Sequence, residues 1–308
     1  MKLVFLDTKT LGSDINLDGF NKFGQVIKYE TTSKEQTLGR IKDADIVITN
    51  KVVIDKEIMK NSNIKLICIA ATGMNNVDLE YAKESNIEVK NVAGYSTSSV
   101  AQVTISLALN FIQHLDYYSN YTKTKQWEVS DIFTHIEKPF FELEGKKWGI
   151  IGLGSIGQKV AHIAQAFGCE VSYYSTSGKN TNTQYNNVSL EDLLKESDII
   201  SIHCALTPST SNLLNKSNLN LLKENSIVVN VGRGGIIDEE DLVEEFKKKN
   251  FYCALDVVEK EPIEKSSVLN EILNDDKFVI TPHIAWASIE ARNKLIKLII
   301  NNIDEFVL

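Results

Sequence analysis

The order of strand-like and helix-like segments predicts an α/β protein of two doubly wound parallel-sheet domains, the second inserted into the first. Three observations carry this. Short apolar runs alternate with helix-patterned segments along all 308 residues. A glycine-rich turn, Gly152-x-Gly154-x-x-Gly157, sits in mid-chain rather than near the start. An α/β unit precedes it that has no such turn, so the later unit reads as an insertion into a discontinuous domain.

In the first unit the strand candidates are Leu3–Leu6, Val26–Tyr29, Ile46–Thr49, Leu66–Ala70 and Ile87–Val89, with helices around Lys56–Lys60 and Leu79–Glu84. A long helix is expected from Ser98 to about Tyr121, then a loop to Gly145. The second unit opens at Trp148, with strands at Gly149–Ile151, Val171–Tyr174, Ile199–His203, Ile227–Asn230, Ala254–Val257 and Val279–Ile280. Its helices fall at Gln158–Phe167, Leu190–Lys195, Leu219–Lys223 and Glu239–Lys248, and an amphipathic helix, Ile289–Phe306, ends the chain. The expected boundaries are residues 1–97 with 285–308 for one domain and 98–284 for the other, the long helix and the Trp286 region being candidate hinges.

The glycine turn is informative through its context. An apolar run leads into it and a helix leaves it, the arrangement of a dinucleotide-binding Rossmann fingerprint. Its first glycine permits the tight turn, the second admits a pyrophosphate, and the third lets helix and strand pack closely. Helix N–H groups at Ser155 and Ile156 then face the phosphates. The first unit reads as a flavodoxin-like or Rossmann-like domain without that site.

Composition narrows the partners. The chain has 33 basic and 41 acidic residues, a net charge of −8, and no basic run, which argues against nucleic-acid binding. No segment has the apolar length of a membrane span, and the N-terminal apolar run is too short for a signal peptide, so a cytoplasmic protein is expected. The four cysteines, Cys68, Cys169, Cys204 and Cys253, are scattered through apolar runs; they read as reduced core residues rather than disulfides or metal ligands.

Ligands in doubly wound sheets bind at the carboxyl ends of strands. Three such ends here carry chemistry. Arg233, flanked by glycines, offers a permanently charged planar fork suited to a carboxylate. Asp256 falls where a cofactor carboxamide could be held, and Glu261, before Pro262, could orient a histidine. His283 ends a strand near the domain junction and is a proton donor suited to neutral pH. Of the other histidines, His114 and His162 fall on helix candidates, His135 in a loop, and His203 at a strand end where it could line the cofactor cleft.

Gly152–Gly157, Arg233 in its glycine setting, Asp256 with Glu261-Pro262, and Pro282-His283 resemble, in order and spacing, the D-isomer-specific 2-hydroxyacid dehydrogenases along nearly the whole chain. The segments 71–78, 94–102 and 283–286 look most like the glycerate dehydrogenase (hydroxypyruvate reductase) branch. The resemblance implies reduction of a small 2-keto acid to a D-2-hydroxy acid by a bound NAD(P)H, with Arg233, Glu261 and His283 as the catalytic set. It implies that Arg233 and the backbone at Thr72 and Gly73 bind substrate, that Pro208 lies among the cofactor contacts, and that the protein is a homodimer built through the nucleotide domain. A D-lactate-type reductase and a non-catalytic, nucleotide-sensing corepressor-like protein are the alternatives.

NAD-specific domains place an acid about 20 residues beyond the glycines, on the ribose hydroxyls. Ser175 stands there instead. With Thr176, Ser177 and Lys179 it could bind a 2′-phosphate, so the expectation leans to NADP.

Overall fold

The computed structural model describes residues 1–308, and the chain divides into two compact units, residues 1–96 with 286–308 and residues 97–285. The first unit contains β1 (Lys2–Phe5), β2 (Gln25–Lys28), α1 (Lys34–Ile41), β3 (Ile46–Thr49), α2 (Lys56–Lys60), β4 (Leu66–Ile69), α3 (Leu79–Glu84) and β5 (Glu88–Lys90). Its sheet is parallel, in the order β2-β1-β3-β4-β5, the flavodoxin-like arrangement. Because successive side chains alternate between faces, Leu3 and Phe5 enter one core and Val4 and Leu6 the other. Both faces are covered, which is why β3 and β4 are apolar almost throughout and wholly buried.

The second unit begins with α4 (Thr97–Gln113) and α5 (Leu115–Lys123), followed by β6 (Lys147–Ile151), α6 (Ser155–Ala166), β7 (Glu170–Tyr174), β8 (Asn186–Asn187) and α7 (Leu190–Glu196). It continues with β9 (Ile199–Ile202), β10 (Ile227–Asn230), α8 (Glu239–Lys248), β11 (Tyr252–Leu255) and β12 (Phe278–Ile280). The strand order β12-β11-β10-β9-β6-β7-β8 is the Rossmann order with one further strand, all pairs parallel. The order reverses between β6 and β9, so the glycine turn after β6 opens at the topological switch point. The loops carrying Arg233, Glu261 and His283 follow β10, β11 and β12, three neighbouring strands, and leave the same edge of the sheet.

The last helix, α9 (Ile289–Val307), returns to the first unit. The Ser288 hydroxyl accepts from the Ala291 N–H to cap it. Ala291, Leu295, Ile299 and Ile303 form a buried stripe at helical spacing, packed on Phe5 and its neighbours.

Several elements differ from the sequence expectation. The helix expected over Ser98–Tyr121 is broken at His114, which adopts φ 46° and belongs to neither α4 nor α5. The apolar stripe ends there: α4 buries residues up to Ile112, and α5 buries none. Residues Leu219–Leu221 make a single 3-10 turn rather than a helix through Lys223. Helix α1 was not expected, because it buries only Thr37 and Ile41; its local signal is the capping box of Ser33 and Gln36. Strand β8, two exposed asparagines, carries no strand pattern and makes the second sheet seven-stranded rather than six-stranded.

Leu295→Ala should remove about 2–5 kcal/mol of stability from the α9 contact, the usual cost of a buried leucine truncation. Urea unfolding should show a lower midpoint, and an unchanged midpoint would mean that this stripe does not hold the helix.

Candidate active site

The glycine turn shapes a cavity of about 320 Å³ bordered by Gly152, Gly154, Ser175, Lys179, Asn180 and His203 among others. Gly152 adopts φ +92°, and a Cβ there would come within 2.8 Å of Cys204. A Cβ on Gly157 would run into the Gly152 carbonyl. At Gly154 a Cβ would meet nothing within 4 Å, so this backbone faces open space. No side chain caps α6, whereas Asp55, Asp78, Ser189, Asp238 and Ser288 cap α2, α3, α7, α8 and α9. Its first N–H groups, at Ser155 and Ile156, are thus left for an anion.

The loop after β7 borders the same cavity. Ser175 and Thr176 are half-buried, and Ser177 and Lys179 exposed. The Gly178 N–H donates to the Ser175 carbonyl at 3.1 Å, closing the turn. Asn180 Nδ2 donates to the Leu153 carbonyl at 2.8 Å and ties this turn to the glycine turn. No acid enters this lining, and Lys179 makes no ion pair. Pro208 lies on an exposed turn and is not part of the lining.

Arg233 follows β10. Its Nη1 donates to the Gly232 carbonyl at 2.8 Å. The guanidinium is half-buried and pairs with no carboxylate. A permanently charged group in that state is suited to binding an anion.

Glu261 and His283 meet. Glu261 Oε2 lies 2.7 Å from His283 Nδ1, and Oε1 accepts from the Val258 N–H at 3.3 Å. An ionised carboxylate only accepts, so Nδ1 carries the proton of this bond and Nε2 is the nitrogen left for a ligand. His283 adopts φ 54°, a left-handed conformation uncommon outside glycine. Asp256 enforces it. Only 1% exposed, Asp256 accepts through Oδ1 from Thr281 Oγ1 (2.6 Å) and the Ile284 N–H (2.9 Å), and through Oδ2 from the Ala285 N–H (2.9 Å). Its own carbonyl accepts from the His283 N–H at 2.9 Å. Beyond the cofactor role expected of it, Asp256 uses both of its oxygens to fold the histidine's turn.

In the first unit, Thr72 and Gly73 lie on the loop after β4. Thr72 Oγ1 donates to the Val92 carbonyl at 3.0 Å, and Asn91 Nδ2 donates to the Thr72 carbonyl at 2.6 Å. Neither backbone N–H has an acceptor within the protein. Trp286 packs edge-on against Tyr95 and against the core of this unit. All four cysteines are free and buried. His135 stacks on Tyr121 with ring centres 3.7 Å apart and does not line the cavity at the glycine turn.

His203, at the end of β9, was placed only as a possible cleft residue from sequence. Trp148 Nε1 donates to Ser201 Oγ, which lies 2.9 Å from His203 Nε2. With the serine proton directed at Nε2, the neutral ring carries its own proton on Nδ1. That atom is shielded and has no partner, and its ring borders the cavity. Burial pushes this imidazole down to about 3, so it is neutral at pH 7. An orphaned donor, an open glycine cradle and an uncapped helix N-terminus together fit a dinucleotide.

These features define a dinucleotide-binding protein of the Rossmann type. Residues 105–285 match the family model described as D-isomer specific 2-hydroxyacid dehydrogenase, NAD binding domain. A relative named hydroxypyruvate reductase, from Blautia hydrogenotrophica, is 39% identical over 317 residues, covering 100% of this chain and 97% of the relative. An acyclic imino acid reductase solved with NADPH and D-Arg superposes with a TM-score of 0.86 at 27% identity, covering 100% of this chain and 97% of its own. A D-lactate dehydrogenase from Aquifex aeolicus, solved with NAD and lactic acid, gives a TM-score of 0.85 at 25% identity over 100% and 95% of the two chains. The chain belongs to the D-isomer-specific 2-hydroxyacid dehydrogenases, enzymes that act on the CH–OH group with a nicotinamide cofactor.

Because folding lowers the His203 pKa below its usual 6.5, the unfolded chain binds a proton there that the native state refuses. Stability from this group is complete above about pH 6.5 and falls as pH drops toward 3, by about 1.4 kcal/mol per unit. His203→Gln should flatten the decline between pH 6 and 4 in urea unfolding. Equal slopes in the two proteins would contradict the buried neutral ring.

Proposed function

We propose that this chain reduces a small 2-keto acid, hydroxypyruvate or glyoxylate foremost, with NADPH preferred over NADH, and yields the D isomer wherever the product is chiral. The observation that carries the reaction is the edge of the second sheet. An unpaired guanidinium and a carboxylate-held imidazole leave three adjacent strands side by side there.

A nicotinamide dinucleotide held by the glycine turn and the loop after β7 would supply the hydride that reduces the keto carbon. Arg233 holds the substrate carboxylate and polarises the keto oxygen, and its pull strengthens as negative charge develops on that oxygen. As the imidazolium, protonated on both nitrogens, His283 gives its Nε2 proton to the same oxygen and keeps the Nδ1 proton toward Glu261; in the reverse direction neutral Nε2 takes the proton back. Glu261 keeps the ring fixed through Nδ1. The free amides of Thr72 and Gly73 are the proposed further donors to the substrate carboxylate. Asp256 Oδ2 accepts a single bond from the chain and keeps a lone pair for the cofactor's amide.

The NADPH preference rests on the loop after β7. A carboxylate at position 175 would repel a 2′-phosphate; serine does not, and Thr176, Ser177 and the unpaired Lys179 add donors beside it. The likeness to a relative named hydroxypyruvate reductase supports hydroxypyruvate as a substrate. A homodimer through the second unit is supported by Val129 (83% exposed), Ile132, Phe133 (89%) and Ile136, an apolar surface of the kind that marks protein contacts. No helix is long and apolar enough to cross a membrane; buried reduced cysteines support a cytoplasmic location.

One kinetic panel tests this reading: hydroxypyruvate, glyoxylate and pyruvate, each with NADPH and NADH, for the wild type and His283→Ala. Hydroxypyruvate or glyoxylate with NADPH should give the highest kcat/KM. The variant should lose about 10²–10⁴-fold in kcat while quenching by NADPH is unchanged. Near-native turnover by the variant, or no reduction of any keto acid by the wild type, would contradict it.

A further inference from the structure

Arg233 has no acidic partner to hold it, so something else must set its direction. The side chain of Asn230, the last residue of β10, does this locally. Asn230 is 2% exposed. Its Nδ2 donates to the Arg233 carbonyl at 2.9 Å, and its Oδ1 accepts from the Gly232 N–H at 3.0 Å. The amide thus closes the segment 230–233 on itself. The Asn230 backbone carbonyl accepts from the Asp256 N–H at 2.9 Å, which links this turn to the residue that folds the His283 turn. On the far side, Gly234 lies flush against the next loop: a Cβ there would run into the Val258 carbonyl. Val258 in turn donates to Glu261. The arginine is fixed from both ends of its loop, and its guanidinium rests on that loop through the Nη1 bond to the Gly232 carbonyl.

Only an amide meets this demand. The two neighbours are one acceptor and one donor, and asparagine offers one of each. Aspartate, the same size, would set an oxygen against the Arg233 carbonyl. It would also bury a negative charge within the turn that carries Arg233. Serine keeps at most one of the two bonds.

We propose that Asn230 is a positioning residue for Arg233: its amide sets the guanidinium for the carboxylate of the 2-keto acid. This rests on the role given to Arg233 above. The test is a double-mutant cycle in the full-length chain with hydroxypyruvate and NADPH, using Asn230→Asp and Arg233→Lys, which keeps the charge but not the fork. Asn230→Asp should lower kcat/KM for the keto acid about tenfold to a hundredfold, the size of one buried bond left unmade. NADPH affinity, read by fluorescence, should stay within about twofold. In the Arg233→Lys background the same change should cost about twofold or less, because the fork it positions is gone.

A merely structural role would lower cofactor affinity as well and would cost as much in both backgrounds; either result overturns the inference. If Asn230→Asp does not fold, Asn230→Ser is read by the same cycle and the same criteria. A wild-type chain that reduces no 2-keto acid overturns both this inference and the function beneath it. A wild type that does so while Asn230→Asp and Asn230→Ser keep full kcat/KM overturns the inference alone.

Discussion

The Asp256 carboxylate is the constraint on which the site depends. It is buried, and a buried carboxylate must be met by donors or be costly. Here the donors are the Thr281 hydroxyl and the N–H groups of Ile284 and Ala285, all in the turn that carries His283. Satisfying the acid and bending the histidine into its left-handed conformation are therefore one event. The strain of φ 54° is held by bonds made around it. Glu261 then fixes the ring itself, and one loop further on Asn230 and Gly234 fix Arg233.

Sheet topology explains why so few residues suffice. Strands β12, β11, β10, β9 and β6 are parallel neighbours, so the loops leaving their carboxyl ends share one edge. The parallel ladder brings together a histidine, a glutamate, an arginine, a buried neutral histidine and a glycine cradle from positions spread over more than a hundred residues. The strands are apolar because both faces are covered; polar chemistry is confined to their ends. Three groups at this edge remain unpaired: a guanidinium without an acid, an uncapped helix N-terminus and the orphaned His203 Nδ1. Each would be a liability in a protein with nothing to bind.

What the sequence revealed, and what it hid, follows from the range of the interactions. The glycine turn was legible because strand, turn and helix are contiguous. Arg233 and His283 were legible because each stands just past a buried apolar run, and the Glu261 pairing was inferable from the same rule. The parallel, doubly wound character of both sheets followed from alternation of segments. The bonds from Asp256 to the histidine's turn are not legible in the sequence, because its partners lie 25 to 29 residues further along, invisible to spacing. Asn180 and Asn230 act on backbone groups and so carry no motif of their own. The protonation of His203 depends on Trp148, 53 residues from the serine that relays it. The break at His114 has no glycine or proline to mark it; it shows only in the end of the buried face at Ile112.

The most direct test is a crystal structure of the full chain with NADPH and oxamate, a keto-acid analogue that resists reduction. The account predicts the oxamate carboxylate on the Arg233 fork and its amide-bearing carbonyl oxygen at about 3 Å from His283 Nε2, with Glu261 still on Nδ1. Oxamate bound away from Arg233, or a His283 ring turned so that Nε2 faces the protein, would contradict it.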